Sequence, residues 1–206
     1  MVITDRIDSY CFPIDLTVDL IRLQESINIL FERLDISHDT FHTELLRQSA
    51  TTFNLTHLPG LSGSDRWKKY RDDHIATEKA GVKEKDFLEF LNELDGLYLK
   101  EIIDNIRDMH NSKFKNPFQG RCQLIWLRAK HSYKLHRDIH TAHRYHLPVT
   151  TDENCLWVFE KTPRDMTLCH MPADGRIWYL NPRDIKHSVA HLGTQHRLHI
   201  LLTTSN

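Results

Sequence analysis

"CLWVFEKTPRDMTLCHMPADGRIWYL", residues 155–180, decides the fold. Three short apolar or alternating runs, Cys155–Phe159, Met166–His170 and Arg176–Leu180, are cut by "KTPRD" and "MPADG". Runs of five or so residues between Pro/Gly/Asp turns are too short for helices and fit antiparallel strands. The same rhythm extends both ways. Cys122–Ala129 and Tyr145–Val149 precede the stretch; Ser188–Leu192 and Arg197–Thr203 follow it, with "TTDEN", "NPRD" and "LGTQ" as further turns. Closely spaced strands of this kind predict an antiparallel sandwich or barrel, with Trp157 and Phe159 in its core.

Upstream of residue 115 the period changes. Val18, Ile21, Leu23, Ile27, Leu30 and Leu34 predict an amphipathic helix ending near Asp35. Glu84–Met109 reads as a longer helical stretch that Gly96 breaks in two. Between them "TTFNLTHLPGLSGSD" (51–65) reads as a short strand running into a Pro/Gly/Ser loop. The expectation is one domain over 1–206, mainly β with flanking helices: a helix-rich part, 1–115, packed on a sheet core, 116–206.

Of 206 residues, 40% are hydrophobic and 27% charged, and the net charge is −1 with neutral histidines. That leaves no global field for nucleic acid or an anionic membrane. The basic, aromatic "RWKKYRDDH" (66–74) reads as a solvated helix face rather than a nucleic-acid grip. "MVITDRIDSY" carries charges where a signal peptide needs an apolar run, and no stretch approaches the roughly 20 apolar residues of a membrane span. A cytoplasmic protein is expected. Cys11, Cys122, Cys155 and Cys169 are scattered, which suits buried free thiols better than a zinc ribbon or disulfide scaffold.

The unusual count is 15 histidines, four of them in "LHRDIHTAHRYHLPV" (135–149). In a strand, His136 and Asp138 share a face. One imidazole and one carboxylate are two legs of the 2-His-1-carboxylate set that suits non-haem Fe(II). His187, in "DIKHSVAH", is the best-placed third leg. If Gly193-Thr194-Gln195 forms a three-residue hairpin, His191 faces Arg197. Arg197 then joins the face of His187, roughly 10–15 Å along the sheet at ~3.3 Å per residue. Its planar fork suits the far carboxylate of a small dicarboxylate whose other end chelates the metal. Arg144 and His146 alternate onto one face of "RYHLPV" and add polar lining. His140 and His143 are expected in the connecting turn, away from the metal.

The set "HRD" (136–138), "RYHLPV" (144–149), "GRIW" (175–178), "HSVAHLG" (187–193) and Arg197 resembles the aspartyl/asparaginyl β-hydroxylase family, near its bacterial proline hydroxylase branch. The resemblance covers roughly residues 120–203. It implies a double-stranded β-helix (jelly roll, cupin-like) that binds Fe(II) and the cosubstrate 2-oxoglutarate and uses O₂. His136, Asp138 and His187 are then the metal ligands, with no catalytic residue beyond them. Arg197 takes the distal carboxylate of 2-oxoglutarate, Arg144 and His146 line the cosubstrate and substrate region, and Gly175 serves the turn before the strand carrying Trp178. The substrate implied is an amino acid, free or in a peptide. The chain departs from the family at His191, where Asn is usual, and no serine stands where others use one to hold 2-oxoglutarate. Three other readings fit parts of the pattern: a non-catalytic metal-binding jelly roll, a zinc-dependent cupin-type isomerase or lyase, and a local zinc-type histidine cluster within "HRDIHTAH".

Overall fold

A computed structural model describes residues 3–4, 10–37, 50–57, 84–139 and 141–205. The loop expected after His57, the 66–74 stretch and His140 lie outside these residues. The alternation of the C-terminal half becomes two facing sheets. In chain order the strands are β1 (Ile3–Thr4), β2 (Cys11–Thr17), β3 (Ala50–Asn54), β4 (Thr56–His57), β5 (Glu89–Phe90), β6 (Gly120–Leu127), β7 (Thr141–Thr150), β8 (Cys155–Thr162), β9 (Asp165–His170), β10 (Arg176–Leu180), β11 (Lys186–His191) and β12 (Arg197–Ser205). The large sheet has the order β2-β10-β7-β12-β6-β3 and the small one β1-β9-β8-β11. Every described pairing is antiparallel except that of β1 with β9. This is the expected sandwich of jelly-roll type.

Period-two alternation sends the two faces of the large sheet to different cores. Tyr145, Leu147, Val149, Leu198, Ile200 and Leu202 face outward, into a core shared with the helices α1 (Leu20–Arg33) and α2 (Tyr98–Lys113). Leu127, Trp178 and Leu180 face inward and meet Trp157, Phe159 and Val189 of the small sheet. The expected burial of Trp157 and Phe159 is observed, and all four cysteines are buried free thiols.

Helix α1 buries Leu23, Ile27, Leu30 and Phe31, a stripe at helical spacing. Its N-cap is Asp19, whose carboxylate accepts from the N–H groups of Ile21 and Arg22 at 3.0 and 3.1 Å. The buried Ser26 hydroxyl accepts from the N–H of Leu99 at 2.9 Å and fastens α1 to the first turn of α2.

The continuous helical reading of Glu84–Met109 needs correction. Only the part after Gly96 is α-helix; before it lie two 3-10 turns, Glu84–Asp86 and Asn92–Leu94, and the edge strand β5. Gly96 has φ +74°, which ends the preceding turn in left-handed backbone. Phe87, Leu91 and Leu94 are still buried, so their spacing reported burial rather than helix. Strand β2 had no counterpart in the sequence expectations, and Pro13 is disfavoured in a strand interior. It is tolerated because β2 is an edge strand. The N-terminal part therefore supplies strands to the sheets as well as helices.

The hairpin proposed for residues 192–196 also fails. β11 pairs with β8 in the small sheet, and β12 lies between β6 and β7 in the large one. The intervening residues form a corner that crosses between sheets. Asp152 anchors it by accepting from the N–H of Thr194 at 2.9 Å, and a Cβ at Gly193 would strike the Asp152 carboxylate.

Candidate active site

An extended segment, residues 131–138, runs antiparallel along the free edge of β11. It is held by Tyr133 N–H to Val189 O (3.0 Å) and by the reciprocal pair His136 N–H to His187 O (3.0 Å) and His187 N–H to His136 O (2.8 Å). His136 and Asp138 therefore do not belong to a regular strand, as the sequence reading supposed. The His136–His187 bridge to β11 sets them beside His187. The result is the expected grouping: one ligand atom each from His136, Asp138 and His187, all within 4.8 Å of one another. His136 Nε2 lies 3.5 Å from Asp138 Oδ1, and His187 Nε2 lies 3.3 Å from Asp138 Oδ2.

Each imidazole pairs Nδ1 with a backbone carbonyl two residues earlier: His136 with Lys134 O at 2.6 Å, His187 with Ile185 O at 3.3 Å. A proton on Nδ1 leaves the Nε2 lone pairs facing the carboxylate. Acceptors turned toward one another call for a cation. Buried His187 Nε2 has no hydrogen-bond partner. The donors are close enough to be drawn onto one ion with bonds of about 2.0–2.2 Å. Burial alone would raise the Asp138 carboxyl, but His187, Arg144 and His136 outweigh it and hold the group below its ordinary range. The residues present fit a divalent metal with open positions.

His136 and His187 border a cavity of about 320 Å³ between the sheets, whose walls also include Gln123, Tyr133, Arg144, His146, Trp157 and Arg197. Cross-strand register brings the β7 residues here: Trp178, His146 and Leu201 lie in one row across β10, β7 and β12. Arg144 does line the cavity, but its Nη1 is ion-paired with Asp138 Oδ2. His146 is 2% exposed, and neither ring nitrogen has a hydrogen-bond partner. Burial, then the charges of Arg197, Arg144 and His187, push it well below the ordinary histidine range, so it is neutral.

Arg197 is also 2% exposed. No carboxylate pairs with it among the described residues. It stacks on Trp157, with Cζ 5.1 Å from the ring centroid, and Trp157 in turn contacts the His187 ring at 6.0 Å. Its Nε and Nη1 are buried without partners. A buried guanidinium with unused donors beside a cavity can pair with an anion.

His143 does not occupy a turn. It lies in β7 on the outward face, where its Nδ1 meets Tyr179 Oη at 2.8 Å. This takes it out of any local zinc cluster with His136. Gly175 has φ +86° and a Cβ there would strike Val18 O, which fits the turn reading. Sequence reasoning passed over Tyr133, Gln123 and His199. Only His199 had a legible signal: in "RLHIL" it shares the face of Arg197.

No protein-family profile and no curated protein matches the sequence. Solved structures do match in fold. A 2OG-Fe(II) oxygenase family oxidoreductase from Burkholderia pseudomallei is 11% identical, with TM-score 0.50 over 76% of this chain and 66% of that one, so the chain spans just under two-thirds of its length. A viral collagen prolyl hydroxylase from Paramecium Bursaria Chlorella virus-1, solved with 2OG, is 12% identical, with TM-score 0.50 over 94% of each chain. A non-haem monooxygenase in a nickel complex is 12% identical, with TM-score 0.51 over 95% of this chain and 72% of that one. These likenesses establish a shared fold. Among the described residues no helix is long and apolar enough to cross a membrane.

Proposed function

We propose that the chain is a Fe(II)/2-oxoglutarate-dependent dioxygenase that hydroxylates an unactivated C–H bond of an amino acid, free or peptide-bound. The observation that carries this reading is one cavity lined by the two histidines of a 2-His-1-carboxylate cluster and by a buried arginine without a carboxylate partner among the described residues. His136, Asp138 and His187 would hold the metal, and Arg197 would hold the distal carboxylate of 2-oxoglutarate. The fold shared with oxygenases supports the class. The "HRD", "RYHLPV" and "HSVAHLG" pattern supports the aspartyl/asparaginyl β-hydroxylase branch.

When bound, iron(II) with 2-oxoglutarate and O₂ would supply the chemistry of C–H hydroxylation, with succinate and CO₂ as coproducts. The chain's own residues position and exclude. The backbone bonds of His136 and His187 fix their tautomers, so Nε2 is presented without reorganisation. Arg197 and the neutral His146 orient the cosubstrate, and Trp157 and Val189 keep water from the pocket wall. Arg144 pairs with Asp138 and sets the direction of that carboxylate. The described residues act as one domain, with the helices packed against the outer sheet face. The test is succinate release from 2-oxoglutarate with Fe(II) and O₂ across free amino acids and short peptides. Release that rises with one substrate supports the reading. Zinc as the bound metal, with no affinity for 2-oxoglutarate, favours the isomerase or lyase alternative.

A further inference from the structure

Arg197 Nη2 lies 3.0 Å from Nδ1 of His199, two residues along the same strand and on the same face. Both side chains are buried, at 2% and 1% exposure. A guanidinium has no lone pair to offer, so His199 Nδ1 is the acceptor and its proton sits on Nε2. Nε2 is itself buried without a hydrogen-bond partner, and the His146 ring stands edge-on to it with centroids 5.8 Å apart. Of the neighbouring inward side chains, Leu127 and Leu201 are apolar, and His146 and Arg197 are buried polar groups that line the cavity.

We propose that His199 is a positioning residue that fixes the guanidinium of Arg197 for the cosubstrate carboxylate without neutralising it. The inference rests on the reading of Arg197 given above. Buried arginines are usually oriented by an Asp or Glu. Such a partner would satisfy the charge and compete with the incoming carboxylate. A neutral acceptor of the same reach holds the plane of the fork through Nη2 and leaves Nε, Nη1 and the whole positive charge for the ligand. Trp157 supports the flat face while His199 supports the edge, so two side chains fix a group that rotates freely in an exposed arginine. Burial, then Arg197, keeps His199 neutral, as the role requires. A fork fixed before binding loses less freedom when the ligand arrives.

The test measures equilibrium binding of 2-oxoglutarate to the Mn(II)-loaded full chain, with Mn(II) affinity measured separately. His199→Leu removes the acceptor and is expected to weaken 2-oxoglutarate about tenfold or more, from the lower end of the worth of one hydrogen bond to a charged group, with Mn(II) affinity unchanged. His199→Asn places an oxygen near the Nδ1 position and is expected to recover most of that loss. His199→Gln places its oxygen nearer Nε2 and is expected to bind as weakly as the Leu variant. The Asn/Gln pair also carries the comparison if the Leu variant does not fold, since both are amides and differ only in reach. Wild-type affinity in His199→Leu overturns the proposal, as does equal weakness in Asn and Gln, which marks a packing role. Arg197→Ala is the control for the underlying reading: unchanged 2-oxoglutarate binding there removes Arg197 from the cosubstrate site. Loss there with no effect at His199 leaves that reading standing and sinks the His199 proposal alone.

Discussion

Replacing Arg197 by methionine separates a ligand-binding cation from a structural one, because the two roles predict opposite signs. In the ligand-free fold Arg197 has buried Nε and Nη1 atoms without partners, and each such donor costs about 1–3 kcal/mol. Against that stand one bond to His199, worth about 1.5–3 kcal/mol for a charged donor, and the stacking on Trp157, about 0.5–2 kcal/mol. These offset, so Arg197→Met without ligand should unfold within about 1 kcal/mol of wild type, a Tm change of about 2–4 °C at this chain length. Binding behaves differently. Losing the partner of a buried carboxylate costs about 2–5 kcal/mol, or roughly 30-fold to several-thousand-fold in the 2-oxoglutarate Kd. At 100 times its Kd, 2-oxoglutarate stabilises wild type by about 2.7 kcal/mol. Thermal unfolding of Mn(II)-loaded protein with and without 2-oxoglutarate reads both effects. The expected result is a clear ligand-induced rise in wild type and almost none in Arg197→Met, from similar ligand-free midpoints. A variant that unfolds far below wild type yet keeps the full ligand-induced rise would refute the reasoning.

Other expectations concern the metal ligands, the outer sheet face and the cross-sheet corner. His136→Ala, Asp138→Ala and His187→Ala should each abolish Fe(II)-dependent turnover with the fold retained by circular dichroism. His143→Ala should keep bound metal, since its side chain lies on the opposite face of β7; succinate release by the three ligand variants and metal analysis of His143→Ala check the two statements. His110, bonded to Tyr145 Oη at 2.8 Å beneath α2, is pushed down to about 4 by burial and then by His143. The unfolded chain takes that proton below about 6.5 while the fold cannot until about 4. Stability is therefore fully present above pH 6.5 and falls as pH drops toward 4. Urea midpoints over that range should fall less in His110→Phe. Asp152 is held down to about 2, first by the N–H of Asn154 and then by that of Thr194. Its contribution is present above the ordinary carboxylate range and lost as pH falls through about 2. Asp152→Ala should loosen the corner that delivers Arg197, weakening 2-oxoglutarate severalfold by titration with Mn(II) affinity intact.

The C-terminal strands were legible because period-two alternation and Pro/Gly/Asp punctuation agree there; Arg176–Leu180 is observed with the bounds that the sequence suggests. The N-terminal part was less so. Phe87, Leu91 and Leu94 are buried on 3-10 turns and their flanks, and apolar spacing alone does not distinguish those from a helix. Pro13, disfavoured in a strand interior, stands in an edge strand. In the site, local spacing paired His136 with Asp138 correctly although no strand carries them, since an extended segment alternates its side chains with or without a full ladder. Arg197 reached the cavity by a route the sequence could not show. A hairpin and a cross-sheet corner use the same Gly193-rich turn chemistry, and only the long-range pairing of β12 with β6 and β7 distinguishes them. The Arg144–Asp138 ion pair was likewise out of reach, because it depends on the position of the 131–138 segment along the β11 edge.

The most direct test of the central claim is the conversion of 2-oxoglutarate by purified protein under O₂, with Fe(II) supplied and succinate quantified. The account predicts succinate that requires Fe(II), rises with an amino-acid or peptide substrate, and disappears in Asp138→Ala. Absence of succinate from Fe(II)-loaded, folded protein across that panel, together with no binding of 2-oxoglutarate, would contradict it.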